Sequence, residues 1–234
     1  MARFWEVDFA RGAAVASMVA FNWLYALAYL GAAAFDAAQP ANRLWAIATA
    51  ACFVFLAGLS MHLASAQGKN LASRGAKIFL LGLLITAATL YFIPSMFVAF
   101  GILHLIGSSI IIASLFALRL PAAVLAALAC AILALGIPLS AVQPANPFFL
   151  WLGAPPAGFQ SVDYEPLIPW FGVFLFGIAT GKTFYPKGRR AFQFRNAPRF
   201  AAPLQFLGRH SLIIYLVHQP LLVVVLCALG VACL

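Results

Sequence analysis

Long apolar stretches broken by short polar punctuation dominate this chain. Near-continuous hydrophobic runs fall at about 9–34, 43–66, 75–92, 95–118, 121–142, 166–185 and 208–233. Most come close to the roughly 20 residues that cross a hydrocarbon core of about 30 Å as an α-helix. Prolines mark the breaks, at Pro40, Pro94, Pro121, Pro144, Pro147, Pro166 and Pro203, because proline fixes φ and lacks the N–H that a helix interior needs. The longest connections run over 143–165 and 186–207. The pattern predicts an all-α polytopic membrane helix bundle with about seven transmembrane helices, forming a single transmembrane domain over 1–234.

Composition supports lipid as the solvent. Of 234 residues, 65% are hydrophobic and 8% charged, against roughly 25% charged in soluble domains. The net charge of +9 is not a nucleic-acid signal, since the cations sit between apolar runs and form no stripe with aromatics. Their positions carry more information. With seven crossings, thirteen of the fourteen Lys and Arg residues fall in loops on one side, and Arg43 alone on the other. The positive-inside rule then puts the N-terminus in the cytoplasm and the C-terminus outside. That orientation excludes rhodopsins and G-protein-coupled receptors, and the last helix has no central lysine for a retinal Schiff base. Glu6 and Asp8 do not suit the n-region of a signal peptide, so the first run is expected to remain as a spanning helix. Cys52, Cys130, Cys227 and Cys233 lie in apolar stretches without metal-ligand spacing, and no metal is expected.

Ionisable or strongly polar groups at membrane depth are costly and invite a functional explanation. Counting at 1.5 Å per residue puts Asn22 about 16 Å from Arg11, His218 about 14 Å from Arg209, and His104 about 14 Å from Ser95. A common depth on the first, fourth and seventh helices suggests one buried site. Histidine suits proton abstraction near neutral pH, and asparagine can donate to a developing oxyanion. The alternative is that the two histidines only bond between helices. At the cytoplasmic surface Asp8 and Arg11 stand one helical turn apart, and Arg209 and His210 open the last run. Such a basic mouth could hold the phosphates of a nucleotide-like cofactor, or simply fix topology and meet anionic lipid. On the outer side Asp163, Tyr164, Glu165 and Trp170 precede or open the sixth run. They could cradle a polar acceptor such as a sugar, or act as interfacial anchors. His62, at the inner end of the second run, is read as structural, and Gly177 with Gly181 as a close-packing pair.

Several segments together resemble a known family. They are Glu6-Val-Asp-Phe-Ala-Arg-Gly12 with Met18-Val-Ala-Phe-Asn22, then Phe100-Gly-Ile-Leu-His-Leu-Ile-Gly107 and Asp163-Tyr-Glu-Pro-Leu-Ile-Pro-Trp-Phe-Gly172, and finally Leu207-Gly-Arg-His-Ser-Leu-Ile-Ile-Tyr-Leu-Val-His-Gln-Pro220. In this order they resemble compact prokaryotic members of the heparan-alpha-glucosaminide N-acetyltransferase catalytic-domain family, grouped with the transmembrane acyltransferases. The resemblance implies transfer of an acetyl group from cytoplasmic acetyl-CoA, as co-substrate, to an amine or hydroxyl acceptor on the outer side, a sugar above all. It implies roles for Asp8, Arg11, Asn22, His104 and His218. One departure stands out. The lysosomal branch carries an active-site histidine soon after the motif asparagine, and the stretch Trp23 to Asp36 contains none.

The leading expectation is therefore a single transmembrane acyltransferase-like domain in a prokaryotic inner or plasma membrane. His104 or His218 would act as base and Asn22 as oxyanion donor. Arg11, Arg209 and His210 would bind the CoA phosphates, with Asp8 orienting Arg11. Membrane lipids are expected partners and nucleic acid is not; a homo-oligomer or a larger complex is compatible with the sequence. Two rivals use the same residues: a small-solute or proton-coupled transporter, in which they line a pathway, and a non-catalytic membrane subunit.

Overall fold

The computed structural model describes residues 4–193, 196–228 and 230. Arg3, Arg195 and Cys233, counted above, lie outside the described residues. Among the described residues eight α-helices follow in chain order: α1 (Trp5–Tyr29), α2 (Pro40–Ser65), α3 (Leu71–Phe92), α4 (Ile102–Phe116), α5 (Ala122–Leu139), α6 (Leu167–Phe184), α7 (Ala202–Arg209) and α8 (Ser211–Ala228). No strand occurs among the described residues, and the only extended pairing is an isolated bridge between Phe100 and Tyr164. In hydrocarbon every backbone polar group must be satisfied internally, so apolar runs of this length form helices. Their starts follow local chemistry. Pro40 opens α2, Pro121 and Pro166 immediately precede α5 and α6, and the Asn70 side chain caps α3 by accepting from the Ser73 N–H at 3.0 Å.

Among the described residues six helices (α1, α2, α3, α5, α6 and α8) are long and apolar enough to cross a membrane. The protein is an all-α polytopic membrane bundle. Two sequence boundaries change. The run at 95–118 becomes a helix only from Ile102, with 15 residues that reach about 22 Å. Ahead of it the chain turns through Pro94–Met96 and runs non-helically to Gly101. The run at 208–233 begins as a spanning helix only at Ser211, and the eight-residue α7 ahead of it, ending at Arg209, lies mostly in the predicted connection. Both counts of depth assumed unbroken helix. His104 thus sits in the first turn of its helix, and His218 lies seven residues, about 10 Å, into α8.

The chain divides into two compact units, Met1–Phe53 with Phe194–Leu234, and Val54–Gln193. In the first, α1 packs along α7 and against α8. Trp45 Nε1 donates to Ser17 Oγ at 2.7 Å, and Ser17 shares a 2.8 Å hydrogen bond with Thr49, which ties α1 to the start of α2. In the second, α3 pairs with α4 and α5 with α6, and α4 also touches α6. Here a Cβ on Gly177 would overlap the Phe55 carbonyl, and one on Gly181 would press on the His62 ring. The glycine pair serves the close packing read from its spacing. His62 Nε2 donates to the Tyr185 carbonyl at 3.0 Å, tying the end of α2 to the end of α6.

Candidate functional site

The charged cluster of the first unit is built by backbone proximity. Gly12 on α1 faces the Leu204 carbonyl, and Gly208 on α7 faces the Asp8 carbonyl; a Cβ at either would collide with backbone. These two glycines let α7 lie almost directly on α1. Asp8 is then reached from both sides. Arg11 Nη1 donates to Asp8 Oδ1 at 3.2 Å, and Arg209 Nε donates to Oδ2 at 3.4 Å. Arg209 Nη2 also donates to Gln205 Oε1 at 3.3 Å. Asp8 and Gln205 are buried, whereas Arg209 keeps 43% of its side chain exposed. One carboxylate thus holds two guanidiniums, and one of them still faces outward. His210, at the α7–α8 break, is exposed and donates through Nδ1 to the Phe206 carbonyl at 2.9 Å.

Along the same face of α1, at helical spacing, stand Asp8, Arg11, Val15, Met18 and Asn22. The Asn22 amide donates to the Met18 carbonyl at 3.0 Å, which leaves its second N–H for another acceptor. His218 belongs to this unit too. It is 7% exposed and continues along the buried stripe Leu222 and Leu226 of α8. Its Nδ1 lies 2.7 Å from the Tyr215 carbonyl. A carbonyl only accepts, so Nδ1 carries the proton and the neutral ring presents a lone pair at Nε2. That Nε2 is buried without a hydrogen-bond partner among the described residues. Trp23 Nε1, on α1, is likewise buried and unpartnered.

His104, in the second unit, has a different environment. Its Nδ1 accepts from the Gly101 N–H at 3.3 Å, so the ring proton sits on Nε2 and points to Thr86 Oγ1 at 3.4 Å. Thr86 in turn donates to the Val98 carbonyl at 2.6 Å. The ring stacks on Phe100 and meets the edge of Phe79. Both nitrogens are occupied in stitching the non-helical segment onto α3 and α4.

The acidic segment 163–165 completes that stitching. Asp163 Oδ2 accepts from the Ile102 N–H at 3.2 Å and so caps α4, where a negative charge is favoured. Glu165 N–H donates to the Phe100 carbonyl at 2.9 Å, and Val162 N–H to the Met96 carbonyl at 3.0 Å. Tyr164 donates through its hydroxyl to the Leu150 carbonyl at 2.7 Å, and burial pushes its pKa to about 12. Burial, with Asp163 nearby, raises the Glu165 carboxyl to about 8, although a hydrogen bond from Trp170 works against the rise. At neutral pH this carboxyl is largely protonated.

The structure therefore gathers Asp8, Arg11, Asn22, Arg209, His210 and His218 in one unit, and His104, Asp163, Tyr164, Glu165 and Trp170 in the other. Gln205, Gly12 and Gly208 escaped the sequence reading. Gln205 precedes Arg209 by four residues, a helical neighbour visible only once α7 is recognised as a helix. Among the described residues no three His, Cys, Asp or Glu side chains gather as metal ligands, and Cys52, Cys130 and Cys227 are free thiols.

Among curated proteins and among solved structures, none matches this chain significantly. The family model described as heparan-alpha-glucosaminide N-acetyltransferase, catalytic, matches residues 3–220. That range includes every residue named in both clusters, and the chain accordingly belongs to the heparan-alpha-glucosaminide N-acetyltransferase catalytic family.

Proposed function

We propose that this membrane acetyltransferase takes an acetyl group from acetyl-CoA bound at its cytoplasmic face and passes it to an amine or hydroxyl of a sugar acceptor from the opposite side. The family membership and the apolar helices support membrane acetyl transfer. The donor, the acceptor and the sidedness are our reading, as are one acyltransferase-like domain over 1–234 and a prokaryotic inner membrane. Arg11 and Arg209, held by Asp8, bind CoA phosphates, for which planar guanidiniums are well suited. Gln205 fixes Arg209, and the exposed His210 flanks the same mouth.

One observation carries the catalytic assignment: the buried, unpartnered Nε2 of His218, whose other nitrogen is anchored to its own helix. As the acceptor attacks the thioester carbonyl, Nε2 takes the acceptor's proton. The carbon–sulfur bond then breaks, and the imidazolium returns that proton to the CoA thiolate. The spare N–H of Asn22 donates to the oxyanion. His104 is the weaker candidate for the base, because Gly101 and Thr86 occupy its two nitrogens. On the acceptor side, Glu165 and Trp170 recognise sugar hydroxyls, while Asp163 and Tyr164 hold the loop that carries them.

A transporter gains one observation, the interrupted backbone before α4, since broken helices line many transport sites. Against it, Asp163 and His104 already satisfy the N–H groups at that break. Calorimetry of acetyl-CoA with purified wild type and Arg11→Ala tests the donor. Saturable binding that weakens in the variant supports transfer; no binding by folded wild type rules it out.

A further inference from the structure

The end of α6 carries a feature that acetyl transfer does not use. After Phe184 the chain turns through Pro186–Gly188 and folds back, with the Ala191 N–H donating to the Phe184 carbonyl at 2.9 Å. Phe192 returns onto Phe184 and Tyr185, with ring centres 6.3 and 5.6 Å apart. A shallow, largely open slot of about 360 Å³ lies there, lined by Leu59, Thr180, Phe184, Tyr185 and Phe192. Its wall is almost wholly apolar. The hydrogen bond from His62 to the Tyr185 carbonyl fixes one side of it.

The turn that joins Tyr185 to Phe192, two of its lining residues, carries charge. Lys187 (φ 52°) and Gly188 (φ 72°) form the left-handed corner of the turn, which rests on Ala66 at the end of α2. Lys187 in the corner and Arg189 just after it are both exposed. Lys182 is committed elsewhere, donating to the Leu118 carbonyl at 2.7 Å. After Glu165 the sequence contains no further Asp or Glu, so this basic segment has no acidic residue of its own to neutralise it. An apolar slot whose adjoining turn bears exposed cations, at the end of two spanning helices, matches a molecule with a hydrocarbon tail and a negative head.

We propose that this slot binds one anionic phospholipid, with an acyl chain against Leu59, Thr180 and Phe192 and the phosphate at Lys187 and Arg189. The site is independent of the acetyl-transfer reading, since it uses none of the same residues. Native mass spectrometry of delipidated protein, re-equilibrated with equal amounts of phosphatidylglycerol and phosphatidylcholine, tests it. Two membrane-proximal cations together favour the anionic lipid by about thirtyfold, so wild type should retain one phosphatidylglycerol in strong preference. Lys187→Asn with Arg189→Gln, exposed positions where the fold is unaffected, should abolish the preference. Thr180→Trp, which fills the slot, should abolish retention of either lipid. Equal retention of the two lipids by wild type would overturn the proposal, as would an unchanged preference in the double variant.

Discussion

Two buried histidines on apolar helices look alike in sequence and differ in what surrounds them. His104 is 2% exposed and His218 is 7% exposed. Around His104 both ring nitrogens have partners: Gly101, just ahead of α4, and Thr86 on α3. Around His218 one nitrogen is fixed within α8 and the other has none. Burial alone therefore does not separate the two rings; the hydrogen-bond inventory does. An unmet lone pair inside a protein costs free energy, and the proposed transfer of a substrate proton to His218 would give it a use.

The sharpest break of this comparison is at His218. Replacement by glutamine is expected to lower kcat for acetyl transfer by about 10²- to 10⁴-fold, the usual worth of a positioned base, with little change in thermal stability. The steric device beneath the charged cluster comes next. Gly208→Leu forces α7 off α1 and should cost about 1–3 kcal/mol by overpacking. It should also raise the Kd for acetyl-CoA by separating Arg209 from Asp8, measurable by calorimetry beside a melting curve. His104→Ala should behave in the opposite way to His218→Gln. Leaving the Gly101 N–H unpaired costs about 1–3 kcal/mol of stability, while kcat per folded molecule changes little. Arg11→Ala should weaken acetyl-CoA binding by about tenfold, in the range of one lost charged hydrogen bond, without altering kcat.

The last effect concerns the acidic loop and is read in stability, not in rate. Below pH 4.5 Glu165 is protonated in both folded and unfolded chains. Between 4.5 and about 8 the unfolded chain ionises while the folded one keeps its proton, so stability falls as pH rises through this window. Above about 8 both forms are ionised and the loss levels off. Glu165→Gln should remove this part of the pH dependence from melting curves in detergent.

The existence of the helices was legible because lipid leaves an apolar run of this length few alternatives to a helix. The residues that stand out in the sequence as polar at membrane depth are also those with specific partners. What stayed hidden depends on contacts distant in sequence. Residues 97–101 are apolar enough to continue a helix, yet Thr86, Thr89 and Ser161 bond their backbone outside one, and Asp163 caps the helix that starts at Ile102. Asp163 therefore reads as a ligand contact in sequence and caps α4 in the structure. The break at His210 was hidden similarly. Pro203 sits in the first turn of α7, but only the approach of Gly208 to Asp8 explains why a short helix lies there. The Asp8–Arg11 pair was legible from its spacing, whereas the second guanidinium on Asp8 needed the fold.

The most direct test of the central claim compares His218→Gln with His104→Gln in one assay, the N-acetylation of glucosamine by labelled acetyl-CoA per folded molecule. The account predicts loss of at least about a hundredfold for His218→Gln and a near wild-type rate for His104→Gln. A near wild-type rate for His218→Gln, with loss at His104, would contradict it and move the base to the second unit.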